Sequence, residues 1–435
     1  MHKFVIEGGR PLDGTISTAG AKNAVLPIMC ASLLSAEPLT IRNVPRLSDV
    51  KTMGAILNKT ETGTETNADG SLTLHAAGPL ESRASWDEVR KMRASVTVMG
   101  PLLAREGKCQ VAMPGGCVFG VRPVDLHLKG MEALGAKITL EKGYIQCDAP
   151  AGGLRGASVY LAGPMGPTVL GTANVMMAAT LAKGVTTIHG AACEPEVVDL
   201  GECLLKMGAK ITGLGSPILK IEGVSHLKKA EHTVIPDRIE AGTFVLMGAM
   251  TGGRVRVTGC RPEDLSAMLD SLRKTGLEVE FGADWIETKP YDRHTKRPQG
   301  VDITTHPHPG FPTDLQAQWM ALMSVAEGAS VIDDTIYPDR VMHIPELNRL
   351  GANIRRTGSI AVVIGTKRLS GAEVTASDLR ASAALVMAGL VAEGTTEVHR
   401  VYHLDRGYER FEARLNAIGA KIERVQDNVP ATADA

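Results

Sequence analysis

The sequence predicts a mixed α/β protein made of six copies of one unit, grouped as two domains of three, and three observations carry that prediction. First, glycine ends a helix-forming stretch at Thr62-Gly63, Leu134-Gly135-Ala136, Met207-Gly208-Ala209, Thr275-Gly276, Leu350-Gly351-Ala352 and Ile418-Gly419-Ala420, at intervals of roughly 70 residues. Second, a longer helix rich in Ala, Leu, Met and Val precedes each of these ends, over 23–34, 95–105, 168–182, 239–250, 314–326 and 378–392. Third, most of the glycines lead straight into an alternating strand such as Lys137-Ile138-Thr139-Leu140. Helix, turn and strand recur in one order at one period, so the unit reads as βαβαββ.

Taken along the chain, Leu12-Asp13-Gly14-Thr15-Ile16 is a strand with no unit before it. Similar strands follow most units, as in Leu154-Arg155-Gly156-Ala157-Ser158-Val159 and Leu369-Ser370-Gly371-Ala372-Glu373-Val374, but the last unit stops after Lys421-Ile422-Glu423-Arg424-Val425. An unpaired sheet edge is a liability, so the N-terminal strand is expected to complete the C-terminal domain. The stretch 59–71, KTETGTETNADGS, reads as a solvated turn. Two glycines in Pro114-Gly115-Gly116 place Cys117 on a loop, and Arg122-Pro123 opens a helix whose Val124, Leu128, Met131 and Leu134 repeat at helical spacing. The run 231–238 is the crossover between domains. The expected division is residues 22–237 for one domain and 1–21 with 238–425 for the other, joined by a double-crossing hinge; the polar tail 426–435 is expected to be disordered.

Composition bounds the function. With 44% hydrophobic and 22% charged residues the chain is an ordinary globular one, and a formal charge of −1 argues against nucleic acid or an anionic membrane as partner. The N-terminus MHKFVIEGGR lacks a signal-peptide core, and no apolar run approaches the ~18 residues of a spanning helix, so a cytoplasmic protein is expected. Seven scattered cysteines show no CxxC or Cys/His spacing, which speaks against disulfides and zinc. The oligomeric state is left open.

Charged and polar residues collect at the starts of the first helices: Lys22 and Asn23, Arg93, Asp314, Asp378 and Arg380. Such ends carry about +0.5 charge and unpaired N–H groups, and in a repeat they point in equivalent directions. Together with Arg122, Arg340 and Arg406 they describe a site for a multiply anionic substrate facing a cleft between the domains, beside the Cys117 thiol. For Asp314 and Asp378, each taken alone, capping of its helix is the favoured reading. Capping does not explain the cations, because Lys or Arg at a helix N-terminus opposes the dipole unless an anion compensates. His127, His343 and His403 read as satisfied histidines rather than metal ligands.

These stretches resemble the enolpyruvyl transferase family over essentially the whole chain. The residues that carry the resemblance are Gly20-Ala21-Lys22-Asn23, Met92-Arg93-Ala94-Ser95, Pro114-Gly115-Gly116-Cys117, Arg122-Pro123-Val124-Asp125-Leu126-His127, Phe311-Pro312-Thr313-Asp314-Leu315-Gln316, Arg340-Val341-Met342-His343, Asp378-Leu379-Arg380-Ala381-Ser382 and Asp405-Arg406-Gly407-Tyr408-Glu409. The resemblance implies two inside-out α/β domains that close over their substrates. It also implies transfer of the enolpyruvyl group of phosphoenolpyruvate to the 3′-hydroxyl of UDP-N-acetylglucosamine, by addition then elimination, with no metal and no cofactor. It casts Cys117 as the acid, able to add covalently to phosphoenolpyruvate, and Asp314 as the base. Lys22, Arg122, Arg340, Arg380 and Arg406 would surround the phosphoenolpyruvate-derived groups. Asn23 and Arg93 would position substrates, and Arg122, Pro123, Val124, Asp125, Leu126 and Ile336 would follow the nucleotide sugar. The alternatives are a non-catalytic nucleotide-sugar-binding paralogue and, with less support, the sister enzyme acting on shikimate 3-phosphate. One departure stands out: where family members carry a Lys-Val-Ser-Val-Gly-like run that contacts the nucleotide, this chain has Gly166-Pro167-Thr168-Val169-Leu170, without the lysine.

Overall fold

The structure is a computed structural model that describes residues 2–90, 92–113 and 124–427. Cys117, Arg122 and Pro123 lie outside the described residues. The chain forms two units, one of residues 2–19 and 236–427, the other of residues 20–113 and 124–235. Each has its own apolar core. One core gathers Phe4, Ile6, Leu12 and Ile16 with side chains from Ile239 to Ile422, and the other runs from Ala21 to Ile235.

The first helix of each repeat is apolar all round because it is buried all round. Every residue of Leu379–Val391 and of Arg238–Thr251 is buried. In that unit Gln316–Met323 packs on both of these helices, which also pack on each other. Burying each Leu, Val or Met of such a helix contributes about 1.5–3 kcal/mol. The second helices are amphipathic instead: along Pro195–Lys206, Leu200, Cys203 and Leu204 are buried while Glu202, Leu205 and Lys206 are exposed. The sheets likewise show one face inward, as in the strict alternation of Ile218–Glu222. Helices inside and sheets outside are the inside-out α/β arrangement expected.

Six four-stranded sheets repeat one topology among the described residues. In the third, Ser158–Tyr160 pairs in parallel with Val185–His189, which pairs antiparallel with Ile218–Glu222, which pairs in turn with Lys210–Thr212. The parallel lead strand belongs to the preceding repeat, and its glycine is sterically required. A Cβ on Gly156 would lie 2.4 Å from the Val185 carbonyl oxygen, and one on Gly371 would lie 2.2 Å from that of Thr395. The first sheet of each unit must find its lead elsewhere. In one, Ala230–Thr233 returns to pair in parallel with Leu39–Arg42; in the other, Asp13–Ser17 pairs in parallel with Arg254–Thr258.

The N-terminus does more than the sequence reading allows. His2–Glu7 also inserts antiparallel between Thr395–His399 and Ile422–Gln426, so the last repeat lacks two strands and the N-terminal segment supplies both. The last strand runs to Gln426, and Asp427 accepts a hydrogen bond from His399 Nδ1 at 2.8 Å, so order extends past the expected boundary at 425. The helix-ending glycines Gly135, Gly208, Gly276, Gly351 and Gly419 all adopt φ between 78° and 98°. The first repeat differs: Glu61 takes the left-handed conformation at φ 66°, and Gly63 opens an edge strand, Gly63–Thr66, inside the stretch read as a turn. Within one unit the Asp237 N–H donates to the Ala19 carbonyl, and within the other the Ala21 N–H donates to that of Ile235, both at 2.8 Å. Among the described residues no helix is long and apolar enough to cross a membrane.

Candidate functional site

In the unit of residues 2–19 and 236–427, three charged groups meet at the start of the fifth repeat's first helix. A 3-10 turn, Thr313–Leu315, leads into Gln316–Met323, and Asp314 does not cap it. Its Oδ1 instead accepts from Arg340 Nη1 and its Oδ2 from Arg380 Nη2, both at 2.8 Å. The Arg340 and Arg380 side chains are only 6% and 4% exposed and that of Asp314 is 23% exposed, so the acid is the member that solvent reaches. Burial opposes ionisation of Asp314, but the charges and hydrogen bonds of Arg380 and Arg340 outweigh it and hold the carboxyl well below the usual carboxylate range. Asp378 is the cap its position favours: its Oδ1 accepts from the Arg380 and Ala381 N–H groups at 2.8 and 3.1 Å.

Buried neighbours orient the arginines. Arg380 Nη1 donates to the Tyr408 hydroxyl at 3.3 Å, and that hydroxyl lies 2.9 Å from Thr243 Oγ1. Thr243 gives its proton to the Ile239 carbonyl at 2.8 Å, so Tyr408 must donate to Thr243, leaving its lone pairs to Arg380. Arg340 Nη1 is shared between Asp314 and Thr313 Oγ1, the latter at 3.1 Å. His343 is 1% exposed, and burial pushes its pKa down to about 4, with Arg340 pushing the same way and Asp378 opposing. Arg406 ends the 3-10 helix Val401–Arg406 and is half-buried. The preceding Asp405 is held by Arg424, whose Nη2 lies 2.7 Å from Asp405 Oδ1. Ile336, also half-buried, follows the strand Ala329–Asp334.

The other unit contains a simpler pair. Lys22 is the first residue of the helix Lys22–Ala31, whose start has no side-chain cap. Its Nζ lies 2.8 Å from Oδ2 of Asp49, and the two side chains are 12% and 4% exposed. The sequence reading leaves Lys22 opposed to the helix dipole until a ligand arrives; in the structure an acid from the first turn of the next helix, Ser48–Lys59, already compensates it. Asn23 is half-buried, and Arg93, the first residue of the 3-10 helix Arg93–Val98, is half-buried too. Val124 is buried, Asp125 exposed and Leu126 half-buried at the start of Asp125–Ala133, which begins two residues after Pro123 rather than at it. His127 is satisfied as expected: Asn174 Nδ2 sits 3.0 Å from its Nδ1, and burial, reinforced by the charge of Arg93, pushes its pKa down to about 3.

Asp314, Arg340 and Arg380 are thus brought together, and Lys22 gains a partner. Asp49, Thr313, Tyr408 and Asp334 were not assigned roles from sequence. An acid opening the helix after Lys22 was the available sign for Asp49; nothing local marks the others, whose side-chain hydrogen-bond partners lie 21 to 165 residues away.

The chain matches the EPSP synthase (3-phosphoshikimate 1-carboxyvinyltransferase) family over residues 6–415. It is 51% identical to a UDP-N-acetylglucosamine 1-carboxyvinyltransferase from Anaeromyxobacter sp. (strain Fw109-5), covering 98% of this chain and 99% of that one. It is equally similar to one from Granulibacter bethesdensis, covering 98% and 100%. Among solved structures, the enolpyruvyl transferase NikO from Streptomyces tendae superposes with a TM-score of 0.86 at 24% identity, over 97% of this chain and 98% of that one. EPSP synthase from Acinetobacter baumannii superposes with a TM-score of 0.73 at 18% identity, over 98% and 100%, a likeness of fold. The sequence identity and the family match together mean that this chain belongs to the enolpyruvyl transferase family of EPSP synthase and UDP-N-acetylglucosamine 1-carboxyvinyltransferase.

Proposed function

We propose that this protein transfers the enolpyruvyl group of phosphoenolpyruvate to the 3′-hydroxyl of UDP-N-acetylglucosamine, releasing phosphate, as the first committed step of peptidoglycan synthesis in the cytoplasm. The observation that carries this reading is the 51% identity, over 98% of the chain, to relatives named for that activity.

The chemistry assigns work to the residues. The sugar hydroxyl gives up its proton as its oxygen adds to C2 of phosphoenolpyruvate, and C3 gains a proton. Loss of a proton from C3 with cleavage of the bond from C2 to the phosphate oxygen then yields an enol ether and inorganic phosphate. Asp314 accepts the hydroxyl proton. It is a weak base while Arg340 and Arg380 both donate to it, and substrate anions that compete for those guanidiniums strengthen it when it is needed. Cys117 protonates C3 and can add its sulfur to C2. Lys22, Arg122, Arg340, Arg380 and Arg406 stabilise the phosphate and carboxylate. Asn23 and Arg93 position substrates, and Pro123, Val124, Asp125, Leu126 and Ile336 line the nucleotide sugar.

Phosphate release from phosphoenolpyruvate tests this, with UDP-N-acetylglucosamine, shikimate 3-phosphate or no acceptor. Release with the nucleotide sugar alone is expected; release with shikimate 3-phosphate instead overturns the acceptor. Cys117→Ala is expected to lose turnover and keep nucleotide-sugar binding, and full turnover in that variant removes Cys117 from the mechanism.

A further inference from the structure

Asp334 ends the strand Ala329–Asp334 and is 2% exposed, yet among the described residues its partners include no cation. Its Oδ2 accepts the Thr313 hydroxyl at 2.7 Å. Its Oδ1 accepts the Thr305 hydroxyl at 2.8 Å and the N–H groups of Ile336 and Tyr337 at 3.1 and 2.8 Å. A buried carboxylate without a counter-charge is costly unless its oxygens are saturated, and here four donors saturate them.

The polarity of the chain that starts at Oδ2 is forced. A carboxylate only accepts and a guanidinium only donates, so a hydroxyl placed between them has one arrangement available. Thr313 gives its single proton to Asp334 and turns a lone pair to Arg340 Nη1 at 3.1 Å. That same Nη1 donates to Asp314 Oδ1 at 2.8 Å. The other oxygen, Oδ1, tethers the segment that leaves the strand, which carries Ile336 and, four residues later, Arg340.

We infer that Asp334, through the Thr313 hydroxyl, is a positioning residue for the Arg340–Asp314 pair and, through its bonds to the Ile336 and Tyr337 N–H groups, for the nucleotide-sugar side of the site; this rests on the transferase reading above. Asp334 itself touches no substrate in this assignment. Its two oxygens serve two separable tasks, one bearing on turnover and one on acceptor binding.

Three variants separate the tasks in the phosphate-release assay. Thr313→Val keeps the volume and removes the relay; it is expected to lower kcat about ten-fold, the size seen when a supporting hydrogen bond to a site residue is lost, with the nucleotide-sugar KM within about two-fold. Thr313→Ser restores the hydroxyl and is expected to restore kcat. Asp334→Asn keeps the shape, turns an acceptor into a donor, and is expected to lower kcat and raise the nucleotide-sugar KM together. A purely structural role would lower the melting temperature of Thr313→Val without splitting kcat from KM. Wild-type kcat in Thr313→Val, or equal losses in the Val and Ser variants, overturns the proposal, and that pair decides even if Asp334→Asn does not fold. A crystal structure of Thr313→Val gives an answer independent of activity: Arg340 is expected to leave its present geometry on Asp314, and an unmoved Arg340 overturns the proposal. A wild-type enzyme silent with the nucleotide sugar would instead count against the transferase reading.

Discussion

Lys22 with Asp49, and Asp314 with Arg340 and Arg380, occupy equivalent places in two repeats, each at the start of a first helix, yet their charge balance differs. One cation meets one acid in the first, giving a neutral pair. Two guanidiniums meet one carboxylate in the second, with the acid on the solvent side and the charges of Asp378 and Asp237 acting on the arginines from further off. The pair offers an incoming anion one ammonium. The triad offers more: Asp314 occupies guanidinium donors that a phosphate or carboxylate from outside matches equally well. Both helix starts can therefore hold an anion, and the number and shape of the donors distinguish the two.

Removing each acid is the strongest way to break the comparison. Asp314→Asn removes the carboxylate bonded to two buried guanidiniums, and Asp49→Asn the carboxylate paired with a buried ammonium, so each is expected to cost roughly 3–5 kcal/mol of stability. Added phosphate should separate them. It is expected to recover about 2–3 kcal/mol in Asp314→Asn once present at some hundred-fold above its dissociation constant, and much less in Asp49→Asn, where an ammonium offers no forked donor set. Thermal melts with and without phosphate read this directly. Equal recovery in the two variants would mean that Asp314 does not stand in an anion site.

How much of this was legible in the sequence follows from how far each interaction reaches. The six repeats were readable because helix period, helix-ending glycine and strand alternation are local. The insertion of His2–Glu7 into the last sheet was not readable, because its partners lie about 390 to 420 residues away and its own pattern suits any half-buried strand. At the site, Asp314 and Asp378 looked alike, since each is a small acid just before an apolar helix. Only three-dimensional structure shows that Asp378 points at its own helix's N–H groups while Asp314 points at two arginines. Lys22 stood out for its unfavourable placement, but the acid that pairs with it lies 27 residues ahead in another helix.

Acid titration sharpens the same comparison by separating two pH windows. His127 and His343, one in each unit, have folded pKa values pushed below the ordinary 6.5, to about 3 and about 4. The unfolded chain takes up those protons first, so stability is expected to fall as pH drops below 6.5, by about 1.4 kcal/mol per pH unit for each histidine, down to its folded value. Asp314 acts lower. Its folded pKa is depressed, so its contribution is fully present above the unfolded carboxylate value of about 4 and is lost only as pH falls from there through the folded value. Denaturant melts of wild type and Asp314→Asn should therefore run parallel from pH 7 to 5 and converge only below about 4. Convergence already near pH 5.5 would mean that the arginines do not hold Asp314 ionised.

The smallest effect concerns Gly166, which stands where lysine contacts the nucleotide in the family pattern. Gly166 has φ 90° in a short hairpin, Gly163 opposite Gly166 and Ala162 opposite Pro167, directly before Thr168, whose hydroxyl caps the next helix through the Gly171 N–H. A glycine at that φ costs nothing, whereas a lysine there is strained by roughly 1 kcal/mol. The departure therefore lies in the backbone as well as in the missing charge, and it predicts a weaker hold on the diphosphate than in lysine-bearing relatives. Gly166→Lys is expected to tighten nucleotide-sugar binding by no more than about thirty-fold, because one partly solvated contact to a phosphate contributes about 1.5–3 kcal/mol and the strain takes part of it back. Calorimetric titration of both proteins with UDP-N-acetylglucosamine measures the difference. A wild-type dissociation constant equal to that of a lysine-bearing relative would show that another cation already fills the place.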